Sequence, residues 1–383
     1  MVIIFGSDMN TITGRSNQIP AAVNRNAILS CYNVYAAGSY NFLANVYGYV
    51  KVSGSNNVIA ASYTSNSLYG NGNVILGGQQ CYQSTGTYSQ YGCVLIGGYQ
   101  NRLYGAATGR GCVVLGGYNN KVRNYDNAIV GGTNGLINES GATANAVLGG
   151  DYGEIKQDAT NSVVLGGYKN KINASGDNNG ILAGYQNQTY SSATQCAVVG
   201  GSYNVARGDG SVVLGGQQNT VGASGDHSAI MGQYTHTTRT GEVAHNSVAF
   251  NDATGATVSD DRGYHRITGN LKTADATVTS IIDLTLSEAT AYAFMITIVG
   301  VEDGGGNRAS YVRRATAYRD GSGSAALQGS VETIGTDVES DAAWDVTVDV
   351  NSNDLRIRAT GKAATDINWV AVVEWAAIGE VVN

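Results

Sequence analysis

The chain is 383 residues long, 43% hydrophobic and only 13% charged, with 53 glycines and one proline. This composition suffices for a buried core but not for a helical protein, in which so much glycine is destabilising. A net charge of −7 with no basic cluster excludes a nucleic-acid partner, because a phosphate backbone needs lysine and arginine gathered on one face.

The opening stretch, MVIIFGSDMN, has no basic region and only a short apolar run before Gly6, so neither a secretory signal nor membrane insertion is expected. A repeat begins in the same stretch. Its clearest copy is GCVVLGGYNNKV, Gly111 to Val122, and it recurs about fifteen times. Aligned on the first glycine of the pair, the register runs through Gly77, Gly97, Gly116, Gly131, Gly149, Gly166, Ala183, Gly200, Gly215 and Gly232, at intervals between roughly 15 and 20 residues. Weaker copies place Gly6, Ser30, Ala44, Ala60 and Asn251 at the same position.

A unit this short has no room for a helical hairpin, and its pattern is strand-like, so the fold expected is a parallel β-solenoid with one coil per repeat. The run before the glycines, as in Val113, Val114 and Leu115, is one strand, and Lys121-Val122, Lys171-Ile172 and Thr220-Val221 belong to a second. Asn101, Asn120, Asn170, Asn187, Asn204 and Asn219 follow the anchor by four positions, where two copies carry Gly135 and Gly153. Asparagine and glycine share tolerance of the left-handed conformation, so this position reads as a turn.

Side chains alternate along a strand, which divides the first strand into two faces. One carries Leu115 with Val113, Leu165 with Val163 and Leu214 with Val212, and is expected to fill the interior. The other carries Leu95, Val114, Ile129, Val147, Val164, Ile181, Val198, Val213 and Ile230, next to Cys93, Cys112, Cys196, Ser162, Ser211 or Ser228. A second apolar stripe of that length has to be covered, so these nine residues are expected to form the interface of a homotrimer. A wider two-layer solenoid that hides both stripes in one chain is the alternative.

The copies NSVVLGGYKN from Asn161, GSVVLGGQQN from Gly210 and NSVAFNDATG from Asn246 resemble the repeat in the heads of trimeric autotransporter adhesins. Longer versions with paired glycines resemble repeats of phage tail fibre proteins. The resemblance covers roughly residues 1–255, and it implies a left-handed, trimeric β-roll. The copies here are longer and bulkier at the interface position than the adhesin repeat, and no coiled-coil stalk or membrane anchor accompanies them.

Composition changes after about residue 270, where all three tryptophans, Trp344, Trp369 and Trp375, are found. Alternating segments such as AYAFMITIVG, WDVTVDV and INWVAVVEW, separated by DGGGNR, RDGSGS and NSND, read as an antiparallel β-sandwich. AALQGS and SDAAWD within this region resemble a C-terminal domain of phage structural and tail fibre proteins. The expected organisation is an all-β chain with a β-solenoid over 1–255, a linker over 256–271 and a β-sandwich over 272–383.

Chemistry is sparse. The carboxylates Asp126, Glu139, Asp151, Glu154, Asp177, Asp209 and Asp226 are scattered through the variable turns, whereas polysaccharide-cutting tailspikes need a carboxylate pair at defined separation. Even convergence of Asp177, Asp209 and Asp226 on one side leaves them more readily explained as solvated turn residues, and no enzymatic activity is expected. His227, His236, His245 and His265 cluster late in the chain and read as polar turn residues, the five cysteines lack metal or redox spacing, and the glycine-aspartate pieces lack the calcium β-roll repeat. No metal or cofactor is expected. Tyrosine, at 24 residues, is the unusual feature. Tyr99, Tyr118, Tyr168, Tyr185 and Tyr234 each follow the anchor by two, and such a ladder suits either solenoid stabilisation or binding of a host cell-surface glycan or protein.

Some fifteen coils at about 4.8 Å each would make a shaft near 70 Å long. The function expected is therefore that of a homotrimeric structural protein of a bacteriophage virion, a tail fibre or tailspike presenting a receptor-binding surface and contacting other virion proteins. Because the repeat starts within the first residues, a capsid decoration (cement) protein at local threefold positions is the alternative, with a bacterial surface adhesin behind it.

Overall fold

The computed structural model describes residues 11–15, 25–246 apart from 33, 47, 61–65, 84–89, 105–109, 124, 138–141, 157, 174, 176 and 191–192, and 263–379. It is all β, with no helix among the described residues: a parallel β-solenoid followed by antiparallel sheets. Contacts divide the chain into two compact units, Met1–Gly210 and Ser211–Asn383.

In the first unit each coil supplies two short strands. Val94–Ile96, Val113–Leu115 and Ala128–Val130 pair in parallel from coil to coil, with Leu95 opposite Val114 and Val114 opposite Ile129. Arg102–Tyr104, Lys121–Arg123 and Leu136–Ile137 form the second ladder, with Leu103 opposite Val122 and Val122 opposite Ile137. Each strand sends one apolar side chain inward, so the interior is filled by Leu95, Val114 and Ile129 against Leu103, Val122 and Ile137, none more than 1% exposed.

The paired glycines serve two different needs. The first has positive φ, 70° at Gly116, and a Cβ added there meets nothing within 4 Å, so conformation alone selects it. Ala183 holds the same position with φ 72°. The second is set by the neighbouring coil, since a Cβ on Gly117 would sit 2.3 Å from the Gly132 carbonyl oxygen.

The turn residue lies one position earlier than the asparagines. Gln100, Asn119, Asn134, Tyr152, Lys169 and Gln186, three after the anchor, have φ between 53° and 55°. The asparagines that follow are buried instead, for a reason the turn reading overlooked: a buried corner leaves backbone groups that need partners. The Asn120 amide donates to the Gly131 carbonyl at 3.0 Å, and its Oδ1 accepts from Gly135 N at 2.8 Å. A second ladder runs along the opposite corner. Asn145 N donates to Asn127 Oδ1, Ser162 N to Asn145 Oδ1, Asn179 N to Ser162 Oγ and Cys196 N to Asn179 Oδ1, at 2.8–3.1 Å.

Ser30 holds the anchor position with φ 54°, whereas two other weak early copies shift by one residue. Leu29, Ala44, Ala60 and Leu76 are in register, so Ala44 and Ala60 precede the anchor position, which Asn45 holds with φ 49°. Gly6 and Asn251 lie outside the described residues.

The second unit opens with further coils, Val213 opposite Ile230 and Ile230 opposite Ala244. The direction then reverses: Val243–Asn246 pairs antiparallel with Gly263–Thr273, Ala244 opposite His265. Residues 263–271, expected to be linker, thus belong to a strand, because their alternate side chains have a core to fill. This sheet continues through Ile367–Gly379, Thr290–Glu302 and Arg308–Arg319. A three-stranded antiparallel sheet, Val278–Thr285, Asp354–Thr360 and Asp345–Asn351, forms the other layer. Between the two lies an aromatic core with Tyr292, Phe294, Tyr311 and all three tryptophans. Gly300 makes space for it, since a Cβ there would stand 2.5 Å from the Trp369 ring.

Candidate binding surface

The structure assigns the two apolar stripes the other way round from the sequence reading. Leu95, Val114, Ile129, Val147, Val164, Ile181, Val198, Val213 and Ile230, expected at a subunit interface, are at most 1% exposed within the single chain and form its interior. The outward row is the one assigned to the core. In the first unit it comprises Leu76, Ile96, Leu115, Val130, Leu148, Leu182 and Val199, between 36% and 43% exposed. In the second, Leu214 and Met231 are 50% and 44% exposed, with Val243 close by at 42%. The physical reason is at the corner. The residue two before each interior side chain is Cys93, Cys112, Asn127, Asn145, Ser162, Asn179 or Cys196, small and hydrogen-bonding, and it lines the buried ladder on the same face.

The tyrosine ladder is real but broken. Parallel bridges join Tyr99 to Tyr118, Tyr118 to Thr133, Thr133 to Asp151, Asp151 to Tyr168 and Tyr168 to Tyr185. Two stacks result: Tyr99 on Tyr118, centroids 5.4 Å apart and 7° from parallel, and Tyr168 on Tyr185, 5.1 Å and 13°. Tyr152 and Tyr203, which occupy the left-handed turn position, add edge contacts to Tyr168 and Tyr185 at 6.1 and 5.3 Å. Lys169 lies 5.0 Å from the Tyr168 ring centre, and its hydrogen bond to Tyr168 holds the ammonium above the ordinary lysine range.

Tyr234 is not in the ladder. Its coil lacks one glycine of the pair, so Gln233 is the residue opposite Gln217, and Tyr234 takes the turn position with φ 54°.

Three of the carboxylates, Asp177, Asp209 and Glu154, are committed to local structure. Asp177 Oδ1 accepts from Thr160 N at 3.0 Å and Thr160 Oγ1 at 2.7 Å, Asp209 Oδ1 accepts from Thr194 N at 2.7 Å, and Glu154 pairs with Lys171 at 3.2 Å. Glu139 lies outside the described residues. Cys81, Cys93, Cys112 and Cys196 are buried thiols, and burial pushes the Cys81 thiol up to about 11. Cys112 shares a hydrogen bond with Cys93 from the adjoining coil, which raises Cys112 and lowers Cys93.

His265, read from sequence as a polar turn residue, is instead the centre of a buried cluster. Glu242 and His265 are fully buried and share a 2.5 Å hydrogen bond, with the imidazole stacked on Trp375 at 5.2 Å. Glu242 Oε2 also accepts from Thr238 N and Arg239 N at 3.0 and 3.1 Å, while Arg239 Nη2 donates to the Thr285 carbonyl at 2.6 Å. The Glu242–His265 and Arg239–Thr285 bonds join the last coil to the antiparallel layer. No group of three metal-ligating side chains occurs among the described residues.

No family model matches the sequence, and no curated protein matches it. Among the solved structures similar to the chain are two tailspike proteins. One is the tailspike protein of Acinetobacter baumannii phage AM24, at 10% identity and TM-score 0.26, covering 99% of this chain and 76% of that one. The other is the tailspike protein of Acinetobacter phage vB_ApiP_P1, at 12% identity and TM-score 0.25, covering 98% and 80%. The expectation of a chain without enzymatic activity is withdrawn on this finding, because both neighbours are tailspikes, the class whose polysaccharide-cutting members the scattered carboxylates had argued against.

Proposed function

We propose that this chain is a structural component of a bacteriophage tail, a fibre or spike whose copies associate as a homotrimer and present the tyrosine-bearing edge to a host cell-surface glycan or protein. The observation that carries this reading is the outward apolar row from Leu76 to Val199. The coil interior is already filled without it, and these side chains stack on one another from coil to coil while remaining 36–43% exposed. A row of large apolar residues one coil apart is far more than a soluble monomer tolerates, and identical chains solve this by closed symmetry. The repeat and the C-terminal segments that resemble tail fibre sequences supply the setting.

Native mass spectrometry tests the assembly. The expected mass is three times the 39.7 kDa chain. Replacing Leu115 and Leu148 together by lysine should shift the population toward single chains, and a monomeric parent protein would overturn the reading. Immunogold labelling of intact particles tests the setting, with label on the tail expected and label over the head the contrary result.

A further inference from the structure

We infer that the outer face of the four long strands of the C-terminal sheet, Gly263–Thr273, Ile367–Gly379, Thr290–Glu302 and Arg308–Arg319, is a second contact surface for another copy of this chain. This deepens the proposed self-association and rests on it. The two layers of this region differ sharply on their outward sides. The three-stranded sheet presents a charged network, in which Arg356 and Arg358 both bond to Asp349 at 2.8 and 2.5 Å. Such a face is satisfied by water. The four long strands present Met295, Val299, Val370 and Ile378, between 40% and 53% exposed. Val299 stands directly opposite Val370, and Thr297 opposite both Val372 and Val312, so the apolar side chains adjoin across three strands. A charged row, Arg266, Glu374 and Arg314 in line with Met295, crosses the face and separates Ile378 from the apolar patch around Val299 and Val370.

The occupant follows from continuity and size. Through Val243–Asn246 and Gly263–Thr273 the sheet is unbroken from the last coils to this face, and the outward residues stay in register: Met231 opposite His245, His245 opposite Tyr264, Tyr264 opposite Ala376 and Ala376 opposite Ala293. His245 and Tyr264 are in ring contact at 5.0 Å, so the surface closes over the junction. The partner must therefore match an apolar row that advances by one coil at a time and then a flat antiparallel sheet. A second copy of this chain has that sequence of surfaces. Four strands of about 11 residues cover roughly 700 Å² at ordinary strand spacing and rise. A stable interface needs about 800 Å² per partner, so this face together with the adjoining coil row suffices.

The test replaces Val299 and Val370 by lysine in the full chain and compares self-association by analytical ultracentrifugation, with near-ultraviolet circular dichroism of the buried tryptophans as the check on folding. Association should weaken at least tenfold while the tryptophan signal is kept. Thr347→Lys on the charged layer should leave association unchanged. Unaltered association of the Val299/Val370 variant, alongside dissociation of the Leu115/Leu148 variant, would overturn this inference alone. A monomeric parent protein would overturn it together with the assembly it rests on. If the double lysine variant loses its tryptophan signal, Val299→Ser replaces it, with at least a threefold weakening expected and unchanged association the contrary result.

Discussion

The coils of the first unit and the two-sheet region of the second hold themselves together by different means. A coil buries a few aliphatic side chains, such as Val114 and Val122, and relies at its corners on asparagine side chains that bind the adjoining coil. The two-sheet region concentrates three tryptophans and three further aromatic rings in one core. In the first, each coil touches only its neighbours, so order is a sum of local terms. In the second, one core is shared by every strand, and loss at any point is felt throughout.

Substitutions should separate these regimes. The largest effect is expected from Trp369→Ala, which empties the space next to Tyr311 and Trp344 and removes the 2.9 Å bond from its indole N–H to Thr273 Oγ1. A cost of about 3–5 kcal/mol is expected, with amide-exchange protection lost from both antiparallel sheets together. Loss confined to Ile367–Gly379 would break the comparison. Asn120→Ala should cost about 1–3 kcal/mol, because Gly135 N and the Gly131 carbonyl lose their partner in a buried corner. Hydrogen exchange should rise only in the coils around Gly116–Ile137, and a change spread over the unit would show that the coils are not independent. Gly116→Ala should be mildest, about 1–2 kcal/mol by thermal melting, since only the left-handed conformation opposes it and Ala183 already accepts that position. Gly117→Ala, which clashes with the Gly132 carbonyl, should exceed it.

The solenoid, its two strands per coil and the antiparallel region were legible because the glycine pairs recur at short intervals in one sequence context and alternation is strong. The choice of inward face was not, since Val113, Val114 and Leu115 are apolar on both sides. The telling signal was tolerance: the outward position before Val114 and its equivalents accepts Ala128, Ala146, Gly180 and Ala197, whereas the inward position is large from Leu43 through Ile230. A core cannot accept glycine at one coil and valine at the next. The asparagines were misplaced by one residue because asparagine suits both a left-handed turn and a buried ladder, and only burial tells them apart. Tyr234 was miscounted because its coil dropped a glycine. The Glu242–His265 cluster was invisible, as it joins residues brought together only by the reversal of chain direction.

That reversal also limits growth. A stack of parallel strands leaves at its last rung a row of unpaired backbone groups, a template onto which the coil of any other molecule would add, and then another. Here Gly263–Thr273 occupies that edge with opposite polarity, and its far side is already taken by Ile367–Gly379. No further parallel rung can be seeded there. On this ladder the last rung is thus fixed by the chain itself and not by concentration, which distinguishes a stack of defined length from an open-ended fibril.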